Sequence, residues 1–260
     1  MKRLFPLLAG ACALLYHTGC QTSPNLNAVT WMQDAGEYRA LCLQAFNLAT
    51  AAYDQAAKAN EGPLAVMVDL DETMLDNSPY AAWQVLGDHD YEPATWDQWV
   101  REEQTPALPG ALEFAQYVTR KGGTMFYVSN RSDATYEATF NNLVRLGFPG
   151  VNDQTLLLKT DSSNKAPRLA SIEAAGYKIV LLLGDNLNDF PELGTYHQLN
   201  DARQAAVDAR RGDFGKRFIL LPNPSYGDWE PGLAGDFYQQ DAAGQNRLRR
   251  ESLRPWAGPR

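Results

Sequence analysis

The stretch "LAVMVDLDETMLDNSPY", residues 64 to 80, runs an apolar segment into Asp69, Leu70, Asp71, Glu72 and Thr73. Side chains alternate along a strand, so Asp69 and Asp71 share one side if strand geometry persists. Two carboxylates that close repel unless a cation or a shared proton holds them. Three further clusters invite the same kind of reading. "VSNR" supplies Ser129, Asn130 and Arg131, "DSSNKAPR" supplies Lys165, and "LLLGDNLNDF" supplies Asp185 and Asp189. Carboxylate acceptors, hydroxyls and a lysine thus recur together, weak evidence singly and strong in this order. Taken singly, each has a plainer use. Asp69 and Asp71 could be an acidic strand exit, Thr73 a helix cap, and Ser129 a strand end. Lys165 could be a first-turn lysine, Asp185 and Asp189 turn and cap residues, and Arg131 half of a structural ion pair. Arg131 is given no further role.

The order of elements argues for the joint reading. Nearly continuous apolar runs predict strands at 64–70, 124–129, 155–159, 178–184 and 217–221, covered on both faces. Helical spacing at 110–121, 133–146 and 165–175 alternates with them, each exit carrying a glycine where one is needed. Strand alternating with helix implies an α/β fold with a parallel sheet. Ligands of such sheets bind at the carboxyl ends of the strands, and every cluster named above stands at or just past such an end. Residues 76–108 are too long for a simple loop. With Tyr80, Trp83, Tyr91, Trp96 and Trp99 they read as a small helical insert over the first strand's mouth. Before the first strand, a helix is predicted over 31–59. Its stripe contains Tyr38, Leu41, Cys42, Ala45, Phe46, Ala49, Ala52 and Tyr53.

The start of the chain has another purpose. "MKRLFPLLAGACALLYHTGC" opens on Lys2 and Arg3, continues apolar to Tyr16 and ends on small residues before Cys20, the layout of an export signal. "HTGC" resembles a lipobox, which implies a lipid on Cys20, although His17 stands where an aliphatic residue is usual. Residues 21–30 read as a tether, 31–244 as the domain, and 245–260 as a basic tail with a solvated end. With Cys12 in the signal and Cys20 lipidated, Cys42 is left alone, a small core residue rather than half of a disulfide. The expected location is exported, lipid-anchored at a bacterial outer membrane or in the periplasm. A net charge of −8 excludes non-specific binding of nucleic-acid polymers through a basic surface. No GxSxG, P-loop or GxGxxG element occurs, and no Cys is followed six positions later by Arg, so thiolate and P-loop chemistry are set aside.

The ordered set resembles the haloacid-dehalogenase (HAD) superfamily of phosphotransferases. More narrowly, "VDLDETMLDNSPY", "IVLLLGDNLNDF" and "LPNPSYGDWE" resemble the signatures of class C acid phosphatases, bacterial surface lipoproteins acting on nucleotides and nicotinamide mononucleotide. The resemblance covers roughly 31 to 240. It departs at Asn188, where Asp is more usual, a change expected to tune the site.

The resemblance implies a HAD-like Rossmannoid sheet with a cap insert. It implies Asp69 as nucleophile and Asp71 as acid and base, with Mg²⁺ held by Asp69, the backbone carbonyl of Asp71, and Asp185. Thr73, Ser129, the amide at Asn130 and Lys165 are the implied phosphate contacts, and Asp189 supports them from behind. Tyr226 matches a position that stacks on the substrate's ring, and Trp96 is a second candidate for that role. Asp71 favours phosphatase over dehalogenase, because an alkoxide leaving group needs a proton and a halide does not. The expected activity is a phosphomonoesterase (5'-nucleotidase or acid phosphatase) running fastest on the acidic side. An exported ligand-binding lipoprotein and a phosphotransferase using an alcohol acceptor are the alternatives. The expected partners are a small phosphomonoester, a membrane through the lipid alone, and a second copy of the chain in a homo-oligomer.

Overall fold

The structure is a computed structural model, and it describes residues 25–258. The export signal, Cys20 and the first part of the expected tether lie outside the described residues. Two helices come first, α1 (Leu26–Asp34) and α2 (Gly36–Ala59). Strand β1 (Leu64–Val68) follows, then the insert with α3 (Ser78–Gly87) and α4 (Pro93–Arg101). The remainder alternates: α5 (Ala111–Arg120), β2 (Thr124–Ser132), α6 (Tyr136–Leu146), β3 (Leu156–Lys159), α7 (Ala166–Ala174) and β4 (Lys178–Gly184). Helix α8 (Asn200–Ala209), β5 (Phe218–Leu220) and α9 (Ala242–Glu251) complete the chain. Among the described residues no helix is long and apolar enough to cross a membrane.

All strand pairs are parallel, in the order β3-β2-β1-β4-β5. The α/β architecture read from the alternation is therefore the one observed. Every residue of β1 is buried, as a central strand between two helical layers requires. Val66 and Val68 face a core built with α2, α5 and α6, including Phe46, Tyr53 and Phe114. Ala65 and Met67 face the opposite core, with Ile172 of α7, Phe190 and Phe218. The chain leaves β1 toward β2 on one side and returns through β4 on the other. The crevice between those two departures opens directly above Asp69.

Several boundaries differ from expectation. The long N-terminal helix is two helices, because Ala35 is extended (φ −81°, ψ 126°). The first begins inside the stretch expected to be a tether, burying Val29 and Met32. It packs on α3 of the insert, where Gln33 donates to Ser78 Oγ at 3.3 Å, whereas α2 packs on α5 and the sheet. The two helices serve different surfaces, so the chain must turn between them. Of the predicted stripe on α2, Leu41 faces outward at 40% exposure, and the others are buried. Cys42 is a fully buried free thiol. The basic stretch after 244 begins within α9, whose Arg249 pairs with Glu230 at 2.7 Å and covers the Phe237 ring. Among the described residues there, only 252–258 lack regular structure.

Candidate active site

The site begins where β1 stops. The amide of Asp69 still donates to Leu183 O at 2.9 Å, but strand geometry ends at Val68. The carbonyl of Leu70 collects the amides of Thr73, Met74 and Leu75 at 3.2, 2.8 and 2.8 Å. Glu72 adopts the left-handed conformation (φ 56°) at the apex of this turn. Simple strand alternation therefore does not place Asp71. A tight turn does, and it still leaves both aspartates on the same rim.

Asp69 sits in a buried ionic cluster. Lys165, the residue capping α7, is 1% exposed, and its ammonium pairs with Asp69 Oδ1 and, at 2.7 Å, with Asp189 Oδ1. The other oxygen of Asp189 accepts from the Asn186 amide at 2.9 Å, closing a capping box on the turn after β4. Asp185 accepts from Thr73 Oγ1 at 3.3 Å and from Asn223 Nδ2 at 2.8 Å. Oxygens of Asp69, Asp185 and Asp189 all lie within 4.8 Å of one another. Burial pushes the Asp69 carboxyl up to about 7, with Asp189 and Asp71 adding to the rise and Lys165 opposing it. Burial, then the charges of Asp189 and Asp69, raise Asp185 well above the carboxylate range. Burial alone would lower the Lys165 ammonium, but Asp189 and Asp69 outweigh it and the net shift is upward. One buried lysine does not neutralise three carboxylates. Hard oxygen donors with excess negative charge fit a divalent cation of the magnesium or calcium kind.

Asp71 occupies the other half of the rim. Its Oδ1 accepts from Arg131 Nε at 2.9 Å, Arg131 Nη2 at 2.8 Å and Asn77 Nδ2 at 2.9 Å. Ser129 Oγ stands 3.3 Å from Oδ2. Ser129 is fully buried and also accepts from the Arg131 amide at 3.1 Å. Asn130 is exposed at the end of β2, its side chain tied to Arg168 Nη2 at 2.6 Å. Arg168 also holds the Ser129 carbonyl at 2.6 Å, bracing the end of β2.

The expected site residues are thus gathered around one crevice, with some changes of duty. Thr73 was expected at the phosphate; its wholly buried hydroxyl is spent on Asp185. Tyr226 is 43% exposed, yet its hydroxyl donates to buried Glu72. Glu72 also takes the Asn77 amide at 2.8 Å, and burial followed by the charge of Asp71 raises it to about 8. Trp96 packs edge-on against Tyr80, with its ring over the Arg131 guanidinium 5.8 Å from Cζ. Asn188 is suited to its place as an amide: its oxygen accepts from Thr195 and Arg203, and its nitrogen donates to Asp228. An aspartate there would face the Asp228 carboxylate. Arg168, Asn77, Glu72 and Asn223 were not anticipated. Arg131, given no role from the sequence, grips Asp71, and Trp99 of the insert donates its indole N–H to Asn77 Oδ1 at 2.8 Å. Glu72, Asn77 and Asn223, lying inside the recognised motifs, carried a signal that could have found them.

Solved structures share this fold. A class C acid phosphatase from Bacillus anthracis superposes with a TM-score of 0.84 at 36% identity, over 89% of this chain and 97% of that one. The same enzyme with tungstate bound gives 0.86 at 36% identity, over 91% and 99%. Among curated proteins, "Acid phosphatase 1" of Solanum lycopersicum is 30% identical over 166 residues, 61% of this chain and 56% of that protein. "Vegetative storage protein 1" of Arabidopsis thaliana is 30% identical over 165 residues, 61% and 53%. The chain spans a little over half the length of these curated relatives. A family model described as "HAD superfamily, subfamily IIIB (Acid phosphatase)" matches residues 17–229, most of the sequence, and the chain belongs to that family.

Proposed function

We propose that this protein is a Mg²⁺-dependent acid phosphatase hydrolysing phosphomonoesters through an aspartyl-phosphate, with ring-bearing 5'-nucleotides or nicotinamide mononucleotide as substrates. The observation that carries the reading is a nucleophile and an acid side by side with separate partners. Asp69 is held by Lys165 and Asp71 by Arg131. Asp69 attacks phosphorus while Asp71 protonates the departing ester oxygen; Asp71 then takes a proton from the water that cleaves the aspartyl-phosphate. Lys165 and the backbone after Ser129 orient the phosphoryl oxygens and offset their charge. Asp69, Asp185 and the backbone carbonyl of Asp71 would hold the cation, with Asp189 keeping Lys165 in place. When bound, the metal supplies charge neutralisation for an anionic nucleophile approaching an anionic ester. Tyr226 and Trp96 provide flat apolar surface at the mouth for a planar leaving group. The capture of tungstate, a tetrahedral oxyanion, by the Bacillus anthracis relative supports a phosphoryl pocket here. An exported, lipid-anchored location through Cys20 belongs to the same proposal.

The test is phosphate release by the chain starting after Cys20, with and without Mg²⁺. AMP, nicotinamide mononucleotide, a sugar phosphate and phenyl phosphate are the substrates. Metal-dependent release, fastest from the ring-bearing nucleotides, is expected. Equal rates on all esters would remove the aromatic subsite. Binding without release would favour a ligand-binding lipoprotein.

A further inference from the structure

Two tryptophans of the insert reach the residues that hold Asp71, Trp99 through Asn77 and Trp96 over Arg131. Asp71 Oδ1 receives three N–H donors, two from Arg131 and one from Asn77, which saturates that oxygen. Among the described residues, Oδ2 meets only the Ser129 hydroxyl, at a long 3.3 Å. Asn77 is 3% exposed and could in principle present either end of its amide to Asp71. Trp99 decides which. An indole N–H only donates, so it demands the amide oxygen and turns the amide nitrogen toward Asp71. Arg131 Nη2 approaches the same amide oxygen at 3.4 Å. Trp96 closes the assembly by lying over the guanidinium.

Arg131 is 1% exposed, and its Nη1 has no hydrogen-bond partner among the described residues. A buried, incompletely paired arginine is a poor device for stability alone. It is a good device for holding one carboxylate oxygen still.

We propose that Trp99, Asn77 and Arg131 form a clamp that positions Asp71 so that Oδ2 alone carries the transferable proton. The insert thereby acts on proton transfer as well as on substrate binding. The inference rests on the phosphomonoesterase reading above. In the step concerned, an Asp69 oxygen forms a bond to phosphorus as the bond from phosphorus to the ester oxygen breaks. The proton on Asp71 Oδ2 passes to that oxygen, and the alcohol leaves neutral. Trp99, Asn77 and Arg131 are positioning residues, because they act through Asp71.

The experiment compares phenyl phosphate with 2,4-dinitrophenyl phosphate, which share a ring but differ in their need for a proton on leaving. Trp99→Phe keeps the ring and removes one hydrogen bond. Its kcat/KM on phenyl phosphate should fall about fivefold, with the dinitrophenyl ester unaffected. Arg131→Lys should fall further on phenyl phosphate, by about a hundredfold, with the same contrast between esters. In an Asp71→Asn background, Trp99→Phe should change nothing more. Equal losses on both esters would overturn the clamp, as would a change confined to binding of either ester. A Trp99→Phe effect that persists at full size without Asp71 would overturn it too. If one variant is destabilised in a thermal melt, the ester contrast in the other decides. No release by the unaltered protein from any ester would instead defeat the phosphomonoesterase reading, and the clamp with it.

Discussion

Asp69 is buried, repelled by two neighbouring carboxylates and attracted by one lysine, so its charged form is held at a cost. Asp69→Asn removes that cost while keeping the shape. Turnover should fall at least about a thousandfold, with the thermal midpoint unchanged or raised; surviving turnover would remove Asp69 as nucleophile. Lys165→Met does the opposite, leaving buried Asp69 and Asp189 without their cation. Loss of a buried partner of this kind costs about 3–5 kcal/mol, so denaturant melts should show a less stable protein as well as an inactive one. The same cluster predicts a pH dependence in the metal-free protein. Asp69 at about 7 and Glu72 at about 8 lie above their ordinary values of 3.8 and 4.5. Over that window the folded state binds more protons than the unfolded chain. Stability is therefore full below the ordinary values and is lost as pH rises through the folded ones. In chelator, the thermal midpoint should drop between pH 5 and pH 8. Added Mg²⁺ should shrink the drop, because the cation favours ionised Asp69; a midpoint that climbs over this range would contradict the assignment.

At the scale of elements, the site depends on how closely two strand ends and their turns approach. Gly184 ends β4, and a Cβ there would collide with the Asp189 side chain. Gly184→Ala should displace Asp189 from Lys165 and reduce kcat by about tenfold or more, without a comparable loss of fold as read by circular dichroism. Unchanged kcat would show that the Asp189–Lys165 contact is dispensable. The loop after β5 is pinned at Asn223 on Asp185, at Tyr226 on Glu72 and at Asp228 on Asn188. This explains why an exposed tyrosine in a Pro-rich turn can hold a defined position. It also explains what the sequence could not convey. Strand ends are legible because apolar runs stop there, but the turn that carries Asp71 breaks the alternation on which their side-chain directions were read. The split between α1 and α2 was equally hidden, since both helices continue the same apolar spacing and only their packing partners differ.

For the molecule as a whole, the order β3-β2-β1-β4-β5 places the first strand centrally and opens the crevice above it. Lysine, acid cluster and the loop after β5 come from segments as far apart as Asp69, Lys165, Asp185 and Tyr226, so the site and the fold form together. A cation that binds only the folded state adds stability as its concentration exceeds its dissociation constant, about 2.7 kcal/mol at a hundredfold excess. Mg²⁺ should therefore raise the thermal midpoint of the chelated protein by about 5 °C or more as it restores activity. Asp185→Asn should abolish both responses. A rise in midpoint that survives Asp185→Asn would place the cation elsewhere.

The sequence by itself determined the strand order along the chain, the positions of the strand mouths and the identity of the residues placed there. Apolar runs and their polar terminations are local properties, and the paired signatures around Asp69 and Asp185 are local as well. Only the tertiary structure decided which of those residues pair. Lys165 lies 96 positions from Asp69 and Arg131 lies 60 from Asp71. The duties of Thr73, Arg131, Trp99 and Glu72 follow from contacts between elements that no periodicity records. Hydrogen-bond direction is set by the partner across the crevice, and that partner exists only once the sheet has closed around β1.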